Sequence, residues 1–290
     1  MSRRVTRADS RPTRPEGGSG RLTNLVVSLP LAIAAALVFV GLLGFVVIDV
    51  LDVADSREWV RDRLAPHVLF FLWYFGEAGP IEHVQWTFLG VAACLAGELL
   101  RSKWDDTRPL PKLAAFAGFV GLCLMFLEDM LNLRHLLSFH VTMPLFAPEF
   151  DLRSPVRTVT EISFYGLLGG VMVTWLVGLR AVWSGGRLPR VLIFLGFGAY
   201  GVASVASATR YIGNWYERIG DAWVAAIEPG IALWYTEHAS EQVYSVGFWF
   251  MDSALEEAVE LAGAAAILGL ILFLSLSSRG RSRRGSEVEA

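Results

Sequence analysis

Acidic side chains gather where the long apolar runs of this 290-residue chain begin or end. Glu82, His83 and Gln85 stand at the head of one run. Glu128, Asp129, Asn132, Arg134 and His135 close another, Glu161 opens a third and Arg210 closes a fourth. Asp252, Glu256, Glu257 and Glu260 lead into the last. On a helix, Glu128, Asn132 and His135 (i, i+4, i+7) share a face, as do Asp252, Glu256 and Glu260 (i, i+4, i+8). Like charges at that spacing repel. Ionisable groups at the edge of hydrocarbon turn towards the bundle interior and towards a partner. Compensation by Arg134 and Arg210, by a bound cation or by protonation is therefore expected.

Three kinds of chemistry follow. Carboxylates with His83, His135 or His140 offer ligands for a divalent metal or another cation, although no HExxH or paired ExxH motif is present. Carboxylates at membrane depth also serve ion- or proton-coupled transport. A third arrangement is structural, with arginines pairing carboxylates to fix helix packing. The candidate ligand- or cation-binding set is Glu82, His83, Glu128, Asp129, Asn132, His135, Glu161, Arg210, Glu256, Glu257 and Glu260. The expected occupant is a small cation or polar ligand, with a divalent metal as one form. Haem is not expected, since its axial ligands would have to come from histidines at helix ends such as His83 and His135. His67 and His238 fall in loops and are expected to be solvated. No catalytic residue is assigned, and no nucleic-acid partner is expected.

The elements that hold these groups are membrane helices. Hydrophobic residues make up 54% of the chain, and a crossing needs about 20 mostly apolar residues. Leu25–Ile48, Ile162–Leu179, Val191–Thr209 and Leu261–Ser278 carry no charge. His83–Gly97 and Leu113–Leu127 are shorter and abut Glu82, Glu98, Glu128 and Asp129, so these two helices either stop short or carry carboxylates into the membrane edge. The first run is longer than the apolar core of a signal peptide and reads as an anchor. The fold class expected is an all-α membrane protein: a bundle of six transmembrane helices over 22–278, in contact with the lipid bilayer. Disordered tails are expected at 1–21 and 279–290, which are rich in Arg, Ser, Gly, Pro or Glu.

Charge sets the expected orientation. With the N-terminus inside and six crossings, 17 of the 25 basic residues fall on the inner side. Enrichment of Lys and Arg on the cytoplasmic side sets topology, so a plasma-membrane protein with both termini in the cytoplasm is expected. By the same assignment 21 of the 28 acids lie on the outer side, a mouth that would concentrate cations.

Two further patterns bear on architecture. Glu82, Leu89-Gly90, Leu100-Arg101 and Trp104 recur as Glu161, Leu168-Gly169, Leu179-Arg180 and Trp183. Pro111-Lys112 with Phe116, Gly118 and Phe119 recurs as Pro189-Arg190 with Phe194, Gly196 and Phe197. A duplicated two-helix unit is expected. Gly166 and Gly170 form a GxxxG, and Gly196, Gly198 and Gly201 line the fifth run, as close helix packing would require. In outer segment 51–81 the apolar Val68–Phe75 suits an interfacial or re-entrant helix, and segment 210–254, with four Trp and four Tyr, is expected to form short interfacial helices.

Several classes are excluded. Neither lysine, Lys103 or Lys112, lies in the last span, which removes a retinal protein. Walker, Rossmann and G-x-S-x-G motifs are missing. Cys94 and Cys123 sit inside apolar runs without metal spacing and are expected to be small buried residues.

Overall fold

The computed structural model describes residues 17–64, 67–103, 109–146, 154–179, 186–239 and 244–289. It is 91% helical, with no strand among the described residues. Thirteen α-helices appear among them: α1 (Gly17–Gly44), α2 (Ser56–Arg63), α3 (Phe70–Phe75), α4 (Pro80–Lys103), α5 (Pro109–Leu131), α6 (Leu133–Leu137), α7 (Met143–Phe146), α8 (Pro155–Gly178), α9 (Arg187–Thr209), α10 (Trp215–Ile227), α11 (Pro229–His238), α12 (Val246–Trp249) and α13 (Glu257–Glu289). Wider π turns at Phe45–Val50, Ser138–Thr142 and Phe250–Glu256 extend or join them.

Among the described residues six stretches are long and apolar enough to cross a membrane: Arg21–Val50, Phe70–Ser102, Pro109–Leu131, Pro155–Gly178, Arg187–Thr209 and Val246–Ser278. Each contains one of the apolar runs, apart from the final residue of the fourth, Leu179. Most are longer, because helical hydrogen bonding continues through flanking polar residues. Proline at the first position of α4, α5 and α8 sets their starts, where its missing N–H is not needed. The two short runs therefore belong to full-length helices that carry Glu82, Glu98, Glu128 and Asp129 inside them.

The last span is the axis. Leu261, Ala264, Ala265, Ala266, Ile267 and Leu270 are fully buried, and 56% of that span is buried against 17% for the first and fourth. A helix that is apolar on every side belongs in the middle, and small residues let neighbours approach closely. α13 packs against α1, α4 and α9, while α5 joins α4 to α8. Beyond Ser278, α13 continues as helix to Glu289. The N-terminal tail reading falls mainly on residues 1–16, outside the described residues.

The glycines divide. A Cβ on Gly118 would press on Trp175 and one on Gly196 on Ile267, so both sit at close helix crossings. A Cβ on Gly166, Gly170, Gly198 or Gly201 would meet nothing within 4 Å among the described residues. Their stripes face away from the rest of the described chain, contrary to the packing expected of them. The repeated pairs also pack differently: α4 lies along the length of α5, whereas α8 touches α9 far less. Cys94 is exposed and Cys123 half-buried, so neither is the fully buried residue expected.

Candidate functional site

Among the described residues every buried polar or charged side chain lies at one end of the bundle: Asp49, Glu82, Gln85, Glu128, Ser138, Ser154, Arg157, Thr160, Glu161, Ser207, Arg210, Ser253 and Glu256. The other half of the core is Leu, Ile, Ala and aromatic residues. This polar end holds two adjoining structures, a cavity and a closed ion network.

The cavity has a volume of about 360 Å³. Glu82, in the first turn of α4, accepts a hydrogen bond from Ala78 N, which holds the carboxylate over the helix start. Glu128 and Asp129 come from the last turn of α5. That helix breaks at Asn132, whose φ of 52° is left-handed, a conformation Asn tolerates better than most residues. The break lets Glu128 take Arg134 N at 2.9 Å and pair with Arg134 Nε at 3.3 Å. Asn132 donates to Glu77 at 3.2 Å. The π turn at Phe250–Glu256 then presents Asp252, Glu256, Glu257 and Glu260 together at the cavity. The i, i+4, i+8 face predicted for an α-helix is widened here, because π hydrogen bonds run i to i+5.

The roof is the segment from His67 to Glu77, suspended from a buried carboxylate. Asp49, fully buried in the π turn after α1, accepts from Phe70 N (2.7 Å) and Phe71 N (2.9 Å). Trp234 Nε1 donates to Val68 O at 3.0 Å. Val68, Leu72, Tyr235 and Trp249 give this side an apolar lining. His67 lines the cavity half-buried, and burial lowers its pKa. His238 is half-buried and stacked on Trp234, with ring centroids 3.9 Å apart. Neither is the solvated loop residue expected.

Among the described residues eight carboxylates line this cavity against two arginines. Two are paired: Glu128 with Arg134, and Asp252 with Arg210 at 2.5 Å. Among the described residues Glu82, Asp129, Glu256, Glu257 and Glu260 have no cationic partner within 4.0 Å. They rely on neutral donors. Gln85 Nε2 donates to Asp129 Oδ2 at 2.7 Å and to Glu260 Oε2 at 3.0 Å. Tyr200 donates to Asp129 at 3.3 Å, and Tyr216 donates to Glu256. Burial and the neighbouring Glu256 raise the Tyr216 pKa, so its proton stays in place for that bond. Glu257 Oε2 is buried with no donor.

The closed network stands beside it. His135 Nε2 lies 2.8 Å from Arg210 Nη2 and 3.1 Å from Arg157 Nη2. Arg157 Nε donates to the fully buried Glu161 at 3.0 Å, and Glu161 Oε1 is 3.4 Å from His135 Nε2. The Arg157 guanidinium lies over the rings of Tyr211 (4.4 Å) and Phe139 (4.9 Å). Burial, reinforced by Arg134 and Arg210 and opposed by Glu161, lowers the His135 pKa to about 4. The ring is therefore neutral and accepts guanidinium hydrogens.

Of the residues the sequence singles out, Glu82, Glu128, Asp129, Asn132, Arg210, Glu256, Glu257 and Glu260 line the cavity. His135 and Glu161 belong to the network instead. The helix break at Asn132 takes His135 off the face of Glu128. His83 is exposed, with Nδ1 2.8 Å from Gly79 O and its ring against Trp86. Arg157 and Asp49 carried no motif. Only their place at a span's polar end, charge beside apolar sequence, could have marked them. Among the described residues no three His, Cys, Asp or Glu side chains are grouped to hold a metal ion. No family of known proteins, curated sequence or solved structure matches the chain.

Proposed function

We propose that this is a multi-pass membrane protein whose carboxylate-lined cavity binds a small cation, with the cavity on the extracytoplasmic side of the plasma membrane and both termini in the cytoplasm. One observation carries the proposal. Five carboxylates with no cationic partner within 4.0 Å among the described residues converge on a single hollow of about 360 Å³ at the end of an apolar bundle. Removing an ionised carboxylate from water costs several kcal/mol, and a hydrogen bond to a charged group returns about 1.5–3 kcal/mol. A bound cation supplies the remainder, in competition with protonation of the carboxylates. The orientation rests on the distribution of basic residues along the sequence.

The other two readings make different demands. A purely structural network needs the arginines to meet carboxylates with no space left over. Arg134 and Arg210 do pair, but the hollow persists beside them. A transport path needs polar groups reaching the opposite end, and the core there is apolar.

Trp249 lines the cavity and gives the test a signal. Purified protein would be titrated at constant ionic strength with inorganic and organic cations, and separately with anions. The expected result is a saturable fluorescence change and a raised melting temperature with at least one cation class, abolished in a Glu257→Gln/Glu260→Gln double variant. If no cation of either class gave a saturable response, the proposal would be lost.

A further inference from the structure

We infer that the cation this cavity takes is an organic amine with an apolar segment, such as a diamine, rather than a metal ion. The inference rests on the cation-binding reading above and narrows it.

A metal ion draws several oxygen ligands to within about 2.0–2.6 Å of one point. Here no such group of three exists among the described residues. The unpaired carboxylates come from three helices: Glu82 at the head of α4, Asp129 at the foot of α5, and Glu257 and Glu260 at the start of α13. Acceptors contributed by three helices suit a ligand with several N–H donors.

The wall is already arranged around nitrogen. The Gln85 amide stands between Asp129 and Glu260 and donates to both, at 2.7 and 3.0 Å. Next to them Glu257 lines the cavity, and its Oε2 has no donor among the described residues. Unfilled buried acceptors of this kind call for N–H or O–H donors. An ammonium group offers three donors and no acceptor, so it matches a surface of acceptors.

The opposite wall supplies the remaining argument. Val68, Leu72, Tyr235 and Trp249 would contribute nothing to a hydrated metal ion. They would shield a methylene chain, and an aromatic face attracts an ammonium group placed over it.

Isothermal titration and melting measurements on the full chain in nanodiscs, at fixed ionic strength, separate the cases. The probes are diaminobutane, its uncharged counterpart butanediol, and magnesium, calcium, manganese and zinc ions. Diaminobutane is expected to bind saturably, with the diol and the metals failing to do so. Glu257→Gln and Glu260→Gln should each weaken diamine binding about tenfold. Leu72→Ser, which keeps every carboxylate, should weaken it by a smaller factor. Glu98→Gln, exposed on the opposite end of α4, should bind as the unaltered protein does. Saturable metal binding without diamine binding would overturn this inference and leave the cation site standing. Failure of every cation would overturn both. Diamine binding unchanged in Glu257→Gln, Glu260→Gln and Leu72→Ser alike would overturn the inference by placing the ligand elsewhere.

Discussion

Two polar clusters lie side by side at one end of the bundle and share Arg210, yet they are built in opposite ways. Around His135, Arg157 meets Glu161, both arginines meet the imidazole, and aromatic rings lie against the guanidinium of Arg157. Around the cavity, acidic groups outnumber basic ones, and five have only neutral donors or none. The closed network does what a buried ion cluster does for a fold: it fixes where helices α6, α8 and α9 end relative to one another. The open cluster is a poor way to hold a fold together, because it gathers like charge without neutralising it. That contrast argues for a ligand in one place and for structure in the other.

The contrast can be broken most forcefully by removing a charge from each cluster. Arg157→Ala leaves Glu161 buried without its nearest cation and should lower stability by about 3–5 kcal/mol, read as a fall in melting temperature or denaturant midpoint. A loss below about 1 kcal/mol would show that the network is not structural.

Acid should act next most strongly, through His135. Its folded pKa is depressed to about 4 from an ordinary 6.5, so the unfolded chain takes up the proton first. The stabilisation from neutral His135 is complete above about pH 6.5, declines as the pH falls towards 4, and changes no further below that. The loss across this window is on the order of 3 kcal/mol. Melting curves at several pH values for the protein and for His135→Gln should show the extra decline in the former alone.

Asp49→Asn addresses the roof of the cavity. The amide keeps one acceptor for Phe70 or Phe71 N–H and loses the other, at a cost of about 1–3 kcal/mol. Hydrogen exchange should rise in segment 67–77 and remain unchanged along α13.

Glu257→Gln is expected to have the smallest effect on stability. Without ligand it should change the melting free energy by less than about 1 kcal/mol, or raise it, since it removes one of several like charges. A large loss would mean that Glu257 is held by a partner and that the two clusters are built alike.

Much of the architecture could be read from one dimension. Apolar runs of membrane length give the six spans, because hydrocarbon demands continuous helices whose backbone groups are satisfied internally. The carboxylates at the ends of those runs were conspicuous for the same reason: charge beside hydrocarbon is costly and stands out by residue type alone. What failed was any inference that needed the exact path of the chain between helices. Asn132 turns the backbone left-handed and separates His135 from Glu128. The π turn at Phe250–Glu256 changes which acidic residues share a face. The GxxxG at Gly166 and Gly170 has the spacing of a packing motif, yet nothing among the described residues packs on it.

By itself, then, the sequence determined that the chain forms long apolar helices with acidic ends, since length and polarity are local properties. Only the tertiary structure decided which of those ends meet. It divided the acidic residues between a filled ion network and a hollow, and it supplied Gln85, Asp49 and Arg157 as their supports. Hydrogen bonds and ion pairs join residues up to 175 positions apart, and no spacing rule along a helix reaches that far.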